Sequence, residues 1–171
     1  MTSENTEQKH IGSIMIIGMW VVGLALAVLL ANNWLERSRN PNNAVVTSVE
    51  DGKRSITLKR STGGHYLVTG TINDAKIDFL VDTGASSVSI PAAFADKIGL
   101  QRGAEFSIIT ANGIGKAYKT KIKALRLGDL EVRNATAHIN PGLSGEVLLG
   151  MSVLKNYELI QRGDTLTIRE P

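Results

Sequence analysis

The sequence contains no cysteine, and this absence excludes several classes of protein. A disulfide-stabilised scaffold, a thiolate metal site and a cysteine nucleophile all need the missing side chain. Proline is scarce, with 4 residues among 171, which excludes proline-rich and collagen-like chains. Apolar residues make up 43% and charged residues 20% of the chain, a composition that also excludes disorder throughout.

Signatures for metal and phosphate binding are missing as well. The three histidines, at positions 10, 65 and 138, lack the spacing of metal ligands, and no His-Glu-x-x-His segment occurs. Residues 115–116 (Gly-Lys) lack the earlier glycine and the following Ser or Thr of a phosphate loop. Residues 142–145 (Gly-Leu-Ser-Gly) miss the nucleophile elbow of serine hydrolases by one residue. We therefore expect no metal and no cofactor.

The net charge of +3 is spread thinly along the chain. The first 40 residues carry as many basic as acidic side chains, so the excess lies in residues 41–171. No block of Lys and Arg interleaved with aromatic residues occurs, and we expect no nucleic-acid partner. Lys119, Lys121 and Lys123 alternate with other residues and are interpreted as the solvated face of a strand.

One long apolar run lies near the N-terminus, at residues 11–31, and contains no charge. As a helix it spans about 30 Å, the thickness of the hydrocarbon core of a bilayer. Trp34 follows at the level expected for lipid headgroups. A cleaved signal peptide is the alternative, but the run is longer than a usual signal core and no clear cleavage site follows it. We expect an uncleaved transmembrane helix that contacts the lipid bilayer.

The charges that flank this run bear on its orientation. Lys9 precedes the run, whereas Arg37 and Arg39 follow it, which favours a cytoplasmic C-terminal domain by a single residue. The predicted organisation is a tail at 1–10, the transmembrane helix at 11–31, an Asn-rich polar linker at 32–50 and a folded domain at 51–171.

From about residue 44, short apolar segments separated by Gly, Asn and Asp predict β-strands. Residues 65–72 and 76–82 read as two strands joined by an Asn-Asp turn, and Asn112-Gly113 marks a second hairpin. Residues 91–99 predict a short helix, with Pro at its start and Gly at its end. Further strands are predicted at 55–58, 106–110, 130–139, 147–149 and 165–169. This spacing indicates an all-β barrel or sandwich.

One motif carries chemistry: Asp82-Thr83-Gly84, at the end of an apolar strand. A carboxylate leaving such a strand is costly unless it has a partner or a function. Gly84 permits a tight turn that exposes the carboxylate and lets another backbone approach, and the Thr83 hydroxyl can tie that turn. The alternative is an acidic turn residue without chemistry. The ordered segments around the motif favour the functional interpretation.

These segments together resemble the retropepsin-like aspartic proteases of clan AA, and in particular the small membrane-anchored bacterial family. Four segments carry the resemblance, in this order: GHYLVTGTIN, DFLVDTGASSVSIP, TANG and LLGMSVL. It covers about residues 62–169. It implies an all-β fold, a closed acid-protease barrel with one or two short helices, preceded by the single transmembrane helix.

The resemblance also implies a role for each matched residue of the active-site turn. Asp82 is the catalytic aspartate. Thr83 interlocks two such turns across a dimer axis, Gly84 is a position of close approach, and Ser86 is a hydrogen-bonding neighbour. Gly150 packs behind the turn, with a short helix beginning at Met151.

A flap over the substrate is implied at Ala111, Asn112 and Gly113. The substrate class that the family implies is a polypeptide, with membrane and envelope proteins among the candidates. The family also implies the bacterial inner membrane, crossed once, with the protease domain in the periplasm. The charge count points to the cytoplasm instead, so both orientations stay open.

The chemistry of this family needs two carboxylates, one ionised to activate water and one protonated to polarise the scissile carbonyl. The sequence holds no second Asp-Thr-Gly: Asp164-Thr165 is followed by Leu166. We therefore expect a homodimer that contributes Asp82 from each chain. The alternatives are a non-catalytic module of the same fold, which binds peptides or dimerises, and a purely structural membrane anchor. The intact Asp-Thr-Gly argues against both.

Overall fold

The computed structural model describes residues 4–110 and 113–171, and it divides the chain into two units with the boundary between Ser38 and Arg39. The first unit consists of helix α1 (Glu4–Arg39) up to Ser38, and the last helical residue, Arg39, belongs to the second unit. Its segment Met15–Leu35 has a mean hydropathy of 2.3 and no buried side chain. This segment is long and apolar enough to cross a membrane, a property that signal sequences share.

The connector differs from the irregular linker that we expected at 32–50. Helix α1 continues through Asn32 and Asn33 to Arg39, because extending an existing helix costs far less than starting one. It ends before Asn40-Pro41, where the proline disfavours helical backbone in the preceding residue. Residues 47–50 then form a strand rather than a loop.

The second unit consists of strands with two short helices. Its elements, in chain order, are β1 (Thr47–Glu50), β2 (Lys53–Lys59), β3 (Leu67–Ile72), β4 (Ala75–Val81), β5 (Val88–Pro91), α2 (Ala92–Lys97), β6 (Glu105–Thr110), β7 (Gly113–Leu127), β8 (Leu130–Asn140), β9 (Val147–Leu149), α3 (Met151–Leu154), β10 (Glu158–Arg162) and β11 (Thr165–Arg169). The predicted all-β class and the predicted short helices are therefore confirmed.

Six of these strands close into a barrel in the order β3-β4-β9-β5-β8-β7. The ring closes where β3 pairs with β7, at Thr71 with Arg126 and at Ile72 with Leu125. Gly70 makes this closure possible, since a Cβ atom there would lie 2.3 Å from the Arg126 carbonyl oxygen. Strand β6 pairs with the protruding half of β7 to form a hairpin. The closed barrel expected from the sequence is confirmed.

A second sheet, in the order β1-β2-β11-β10, packs against the barrel. Alternate residues of β2 and β11, among them Ile56, Leu58 and Ile168, are buried in the same core as Phe79 and Leu149 of the barrel. The sequence analysis missed β1 and β10. The central Leu159-Ile160 pair of β10 breaks the alternation that reveals a strand.

The first residues of the second unit are fixed to the barrel by two buried asparagines. The Asn42 amide donates to the carbonyl oxygens of Lys59 (2.8 Å) and Leu67 (2.6 Å). The Asn40 amide donates to the Thr69 hydroxyl (2.9 Å) and to the Asp78 carboxylate (3.0 Å). These asparagines follow the helix directly, and their polarity serves hydrogen bonding inside the domain rather than exposure to solvent.

Candidate active site

The Asp-Thr-Gly motif begins a turn, residues 82–87, that leaves the end of β4; we call it the DTG turn. The Asp82 backbone N–H donates to the Leu149 carbonyl oxygen (3.1 Å), which continues the pairing of β4 with β9. The Gly84 N–H donates to the Asp82 carboxylate (2.9 Å). The half-buried side chain of Asp82 is thus oriented by a backbone amide of its own turn.

Helix α3 supports the DTG turn from behind. The N–H groups of Met151 and Ser152 donate to the carbonyl oxygens of Ala85 (2.8 Å) and Ser86 (3.0 Å). The Ser152 hydroxyl accepts a hydrogen bond from the N–H of Val88 (3.3 Å). The first turn of a helix has free N–H groups, and here two of them satisfy carbonyl groups that the turn cannot pair itself.

Gly150, which lies between β9 and α3, leaves room for the DTG turn. A Cβ atom at this position would lie 2.5 Å from the Ser87 carbonyl oxygen and 2.7 Å from that of Ala85. The Gly150 backbone is extended, so the requirement for glycine is space rather than an unusual conformation. The structure thus brings Asp82 and Gly150, which are far apart in the sequence, into one unit.

The remaining predicted residues of the turn lie on its outer side. Thr83, Gly84 and Ser86 are exposed, whereas Gly150 behind them is buried. A Cβ atom at Gly84 would lie 3.2 Å from the Asp82 carboxylate oxygen, a tight contact, so glycine here keeps the carboxylate clear.

A histidine that the sequence analysis passed over lies against the turn. The Ser87 hydroxyl and His138 Nδ1 are 2.8 Å apart and form a hydrogen bond. The ring of Phe106, in β6, meets the His138 ring edge to face with centroids 5.8 Å apart. Burial lowers the pKa of His138 below its ordinary value. The parallel pairing of β5 with β8 brings His138 here, and no local sequence pattern predicts that pairing.

Strands β6 and β7 form the flap hairpin, residues 105–127. Thr110 pairs with Gly113 at its end, and the Thr110 hydroxyl donates to the Gly113 carbonyl oxygen (2.9 Å). Gly113 has a φ of +104°, a conformation that favours glycine. The other two predicted flap residues, Ala111 and Asn112, lie outside the described residues. Gly113 is therefore at the end of a hairpin, as expected, and in a different element from the turn.

The end of the flap hairpin carries an exposed apolar pair. Ile109 and Ile114 are partners across the hairpin, and 90% and 81% of their surfaces are exposed. Exposed apolar side chains of this size, placed side by side, are typical of a contact surface. Within residues 4–110 and 113–171, no group of three or more His, Asp and Glu side chains is placed to hold a metal ion.

Comparison with known proteins gives consistent results. A profile of the family described as "gag-polyprotein putative aspartyl protease" matches residues 68–156. An uncharacterized protein from the cobV 5′ region of Sinorhizobium sp. is 33% identical over 135 residues, 76% of this chain and 58% of the relative. The uncharacterized protein RP867 of Rickettsia prowazekii is 33% identical over 106 residues, 60% of this chain and 46% of the relative. The chain thus spans about half the length of these curated relatives.

A solved structure is also similar to this chain. The crystal structure of a retropepsin-like aspartic protease from Rickettsia conorii matches with a TM-score of 0.60 and 28% sequence identity. The match covers 74% of this chain and 96% of the other.

Proposed function

This chain belongs to the retropepsin-like aspartic protease family, and on that premise we propose that it hydrolyses peptide bonds with an aspartate dyad built from two copies of Asp82. One carboxylate, ionised, takes a proton from the attacking water. The other, protonated, donates a hydrogen bond to the scissile carbonyl. Two carboxylates about 3 Å apart share a single proton, so the pair titrates as one unit.

The observation that carries this proposal is the construction of the DTG turn. Asp82 directly follows the barrel strand β4, and its carboxylate accepts the N–H of Gly84. Buried Gly150 allows the turn to lie directly against α3. A carboxylate held in this way keeps its position without a cation beside it. Such positioning is what general acid-base catalysis needs from its carboxylates.

We infer a dimer because the reaction needs two carboxylates and the chain contains a single Asp-Thr-Gly motif. The other Asp-Thr pair, Asp164-Thr165, lies in the hairpin between β10 and β11, where 88% of the Asp164 side chain is exposed beside Arg60. Leu166, and not glycine, follows Thr165, and the strand before this pair, β10, lies outside the barrel. A second copy of the chain, related by a two-fold axis, supplies the second Asp82. The exposed residues Thr83, Gly84 and Ser86 are the proposed contact between the two turns.

The flap hairpin is proposed to close over the substrate. In the closed state, Ile109 and Ile114, which are now exposed, would be buried against the substrate or against the partner's hairpin. This burial of apolar surface would stabilise the closed state. Ala111, Asn112 and Gly113 keep the proposed role of contacting the substrate backbone.

The proposed location is the bacterial inner membrane, with α1 crossing it once and the protease domain, proposed at residues 51–171, in the periplasm. The apolar segment of α1 supports anchoring, and the relatives from Sinorhizobium and Rickettsia support a bacterial setting. Tethering in a bilayer raises the local concentration of chains, which favours a dimer. Alkaline phosphatase joined after Pro171 is active only outside the cytoplasm. An inactive but stable fusion would place the domain on the cytoplasmic side.

Substitution of the carboxylate tests the activity. We expect Asp82→Asn, in the full chain in detergent micelles, to lower cleavage of a peptide library by about 10²–10⁴-fold or more, because neutral Asn cannot accept the proton from water. The unfolding transition and the dimer mass should not change. Asp164→Asn is the matched control and should cleave as the wild type does. Full activity in Asp82→Asn would refute the assignment, and peptide binding without cleavage by the wild type would favour the binding module.

A further inference from the structure

A groove of about 860 Å³ lies on the outer face of the barrel, beside the base of the flap hairpin. We call it the basic groove. One wall is the segment 98–103, which follows α2, and the floor is the middle of β7. Its polar lining includes Asn73, Arg102, Lys119, Lys121, Lys123 and Asn134. Every ionisable side chain among its lining residues is basic.

The three lysines of the groove, like most lysines of the domain, differ from its arginines, most of which pair with a carboxylate; Arg102 of the groove pairs with Asp96. Arg54 pairs with Glu170 at 2.7 Å and Arg169 with Glu158 at 2.6 Å, as is usual on a surface of mixed charge. Lys119, Lys121 and Lys123 form no ion pair with any carboxylate in the described parts of the chain. These three like charges lie on one face of a strand, so an anion bound beside them would interact favourably with all three.

The backbone at the floor of the groove is also unusual. Along one edge of β7, β6 pairs up to Tyr118 and β3 pairs from Leu125 onward. Between them, Gly103 donates its N–H to the Lys119 carbonyl oxygen (2.7 Å), and the Asn73 side chain accepts the N–H of Lys123 (3.0 Å). In the described chain, no strand pairs with residues 120–122 on this edge. This short gap between Gly103 and Asn73 leaves the edge of β7 without a partner strand, and it is the place where a peptide segment would add to the sheet.

The basic groove and the DTG turn share one face of the barrel. Lys119 is the direct cross-strand partner of His138, so their side chains lie on the same side of the sheet. His138 in turn bonds to Ser87 of the turn. A continuous path therefore leads from Ser87 through His138 and Lys119 to Lys123. From Lys119 to Lys123 it covers about 13 Å, the length of four residues of extended chain.

We propose that the basic groove binds an acidic segment of the polypeptide substrate, several residues away from the scissile bond. The proposal rests on the proposed protease function and names a chemical class within it: polypeptides with Asp or Glu in a run beside the cleavage site. A concave groove with an unpaired strand edge fits a single extended chain, whereas the headgroups of a lipid bilayer form a broad surface that fits a protruding patch. Substrate carboxylates would interact favourably with the three lysines.

The test compares two peptides with the same scissile core, one of which carries four additional acidic residues. For the wild-type full chain in neutral micelles we expect the acidic peptide to be cleaved with about five- to tenfold higher kcat/KM, mainly through a lower KM. This ratio should fall with added salt. In Lys121→Gln/Lys123→Gln it should fall toward one. The control is Lys59→Gln/Lys155→Gln, which removes the same charge from exposed sites outside the groove and should keep the ratio.

The outcomes separate the two proposals. Equal cleavage of both peptides by the wild type would overturn the groove proposal and leave the protease proposal intact. If neither peptide is cleaved, the proposed function fails, and fluorescence anisotropy of the acidic peptide then tests the groove alone. Binding that the Lys121/Lys123 variant loses supports the groove, and absence of binding overturns it. Binding of vesicles of anionic lipid that depends on Lys121 and Lys123, without any effect of the acidic peptide, also overturns it.

Discussion

The DTG turn is held from behind by other parts of the barrel, whereas the end of the flap hairpin is held by its own two strands. Behind the turn, α3 supplies two N–H donors. Because residue 150 is a glycine, the backbone oxygens of Ala85 and Ser87 can pack closely against it. At the end of the hairpin, Ile109 and Ile114 are almost fully exposed. Under the proposed function, the difference separates two tasks: the turn would fix a carboxylate in place before any substrate arrives, and the hairpin would keep apolar surface free for a later contact.

Matched glycine substitutions test the difference between the two regions and should give the largest effect. Gly150→Ala places a methyl group against backbone oxygens of Ala85 and Ser87, which cannot move without moving the turn. We expect the free energy of unfolding to fall by about 3 kcal/mol and cleavage by about 10²-fold or more. Denaturant titration and peptide hydrolysis measure the two effects.

Gly115→Ala in the flap hairpin is the matched control, because its Cβ would meet only Ile108, at 3.8 Å. It should change the free energy of unfolding by less than about 0.5 kcal/mol. If both substitutions cost the same, the DTG turn would not be the more tightly packed region.

Substitution of the apolar pair of the flap hairpin should have the next largest effect, and this effect should be on activity alone. Ile109→Ser/Ile114→Ser should leave the unfolding transition unchanged, since these side chains are exposed. Cleavage should fall by about tenfold or more in kcat/KM, because the closed hairpin loses apolar burial. Val46→Ser/Val49→Ser removes similarly exposed side chains elsewhere and should keep full activity. A loss of stability, or an equal loss of activity in both pairs, contradicts the assignment.

His138 touches both regions, through Ser87 and Phe106, and gives the smallest effect. Burial holds its pKa below the ordinary 6.5, so the folded domain binds fewer protons than the unfolded chain near that pH. Its contribution to stability is complete above pH 6.5 and is lost as the pH falls through the lowered pKa. We expect a loss of less than about 1 kcal/mol, since the ring is only half-buried and solvent screens it.

The variant His138→Gln should remove this part of the pH dependence of unfolding, whereas exposed His65→Gln should preserve it. Thermal unfolding followed between pH 5 and pH 8, a range set by the ordinary titration of histidine, provides the measurement. If the dependence of the unfolding temperature on pH were the same in His138→Gln as in the wild type, the lowered pKa of His138 would not contribute to stability.

The sequence was sufficient for the parts of this fold that depend on local patterns. Strands β9 and β11 have the bounds that alternation predicts, at Val147–Leu149 and Thr165–Arg169. Asp82 lies at the end of its strand, as its apolar neighbours indicate, and the closed barrel follows from the resemblance.

The sequence was insufficient where distant strands come together. The contact of His138 with Ser87 was not predicted, because it depends on the parallel pairing of β5 and β8. The lysines of β7 were interpreted as a solvated face, since alternation identifies the outer side of a strand but not a wall such as 98–103 beside it. Asn40 and Asn42 looked like loop residues because polarity alone does not distinguish solvent from buried carbonyl groups.

The basic groove has a consequence for a dimer with two-fold symmetry. A peptide has a direction, from its amino to its carboxyl end, but a symmetric cleft does not, so each of its ends would carry one groove. An acidic run before the scissile bond would find a groove in one chain, and a run after the bond would find the same groove in the other. A dimer of identical chains could thus recognise an acidic run on either side of the scissile bond.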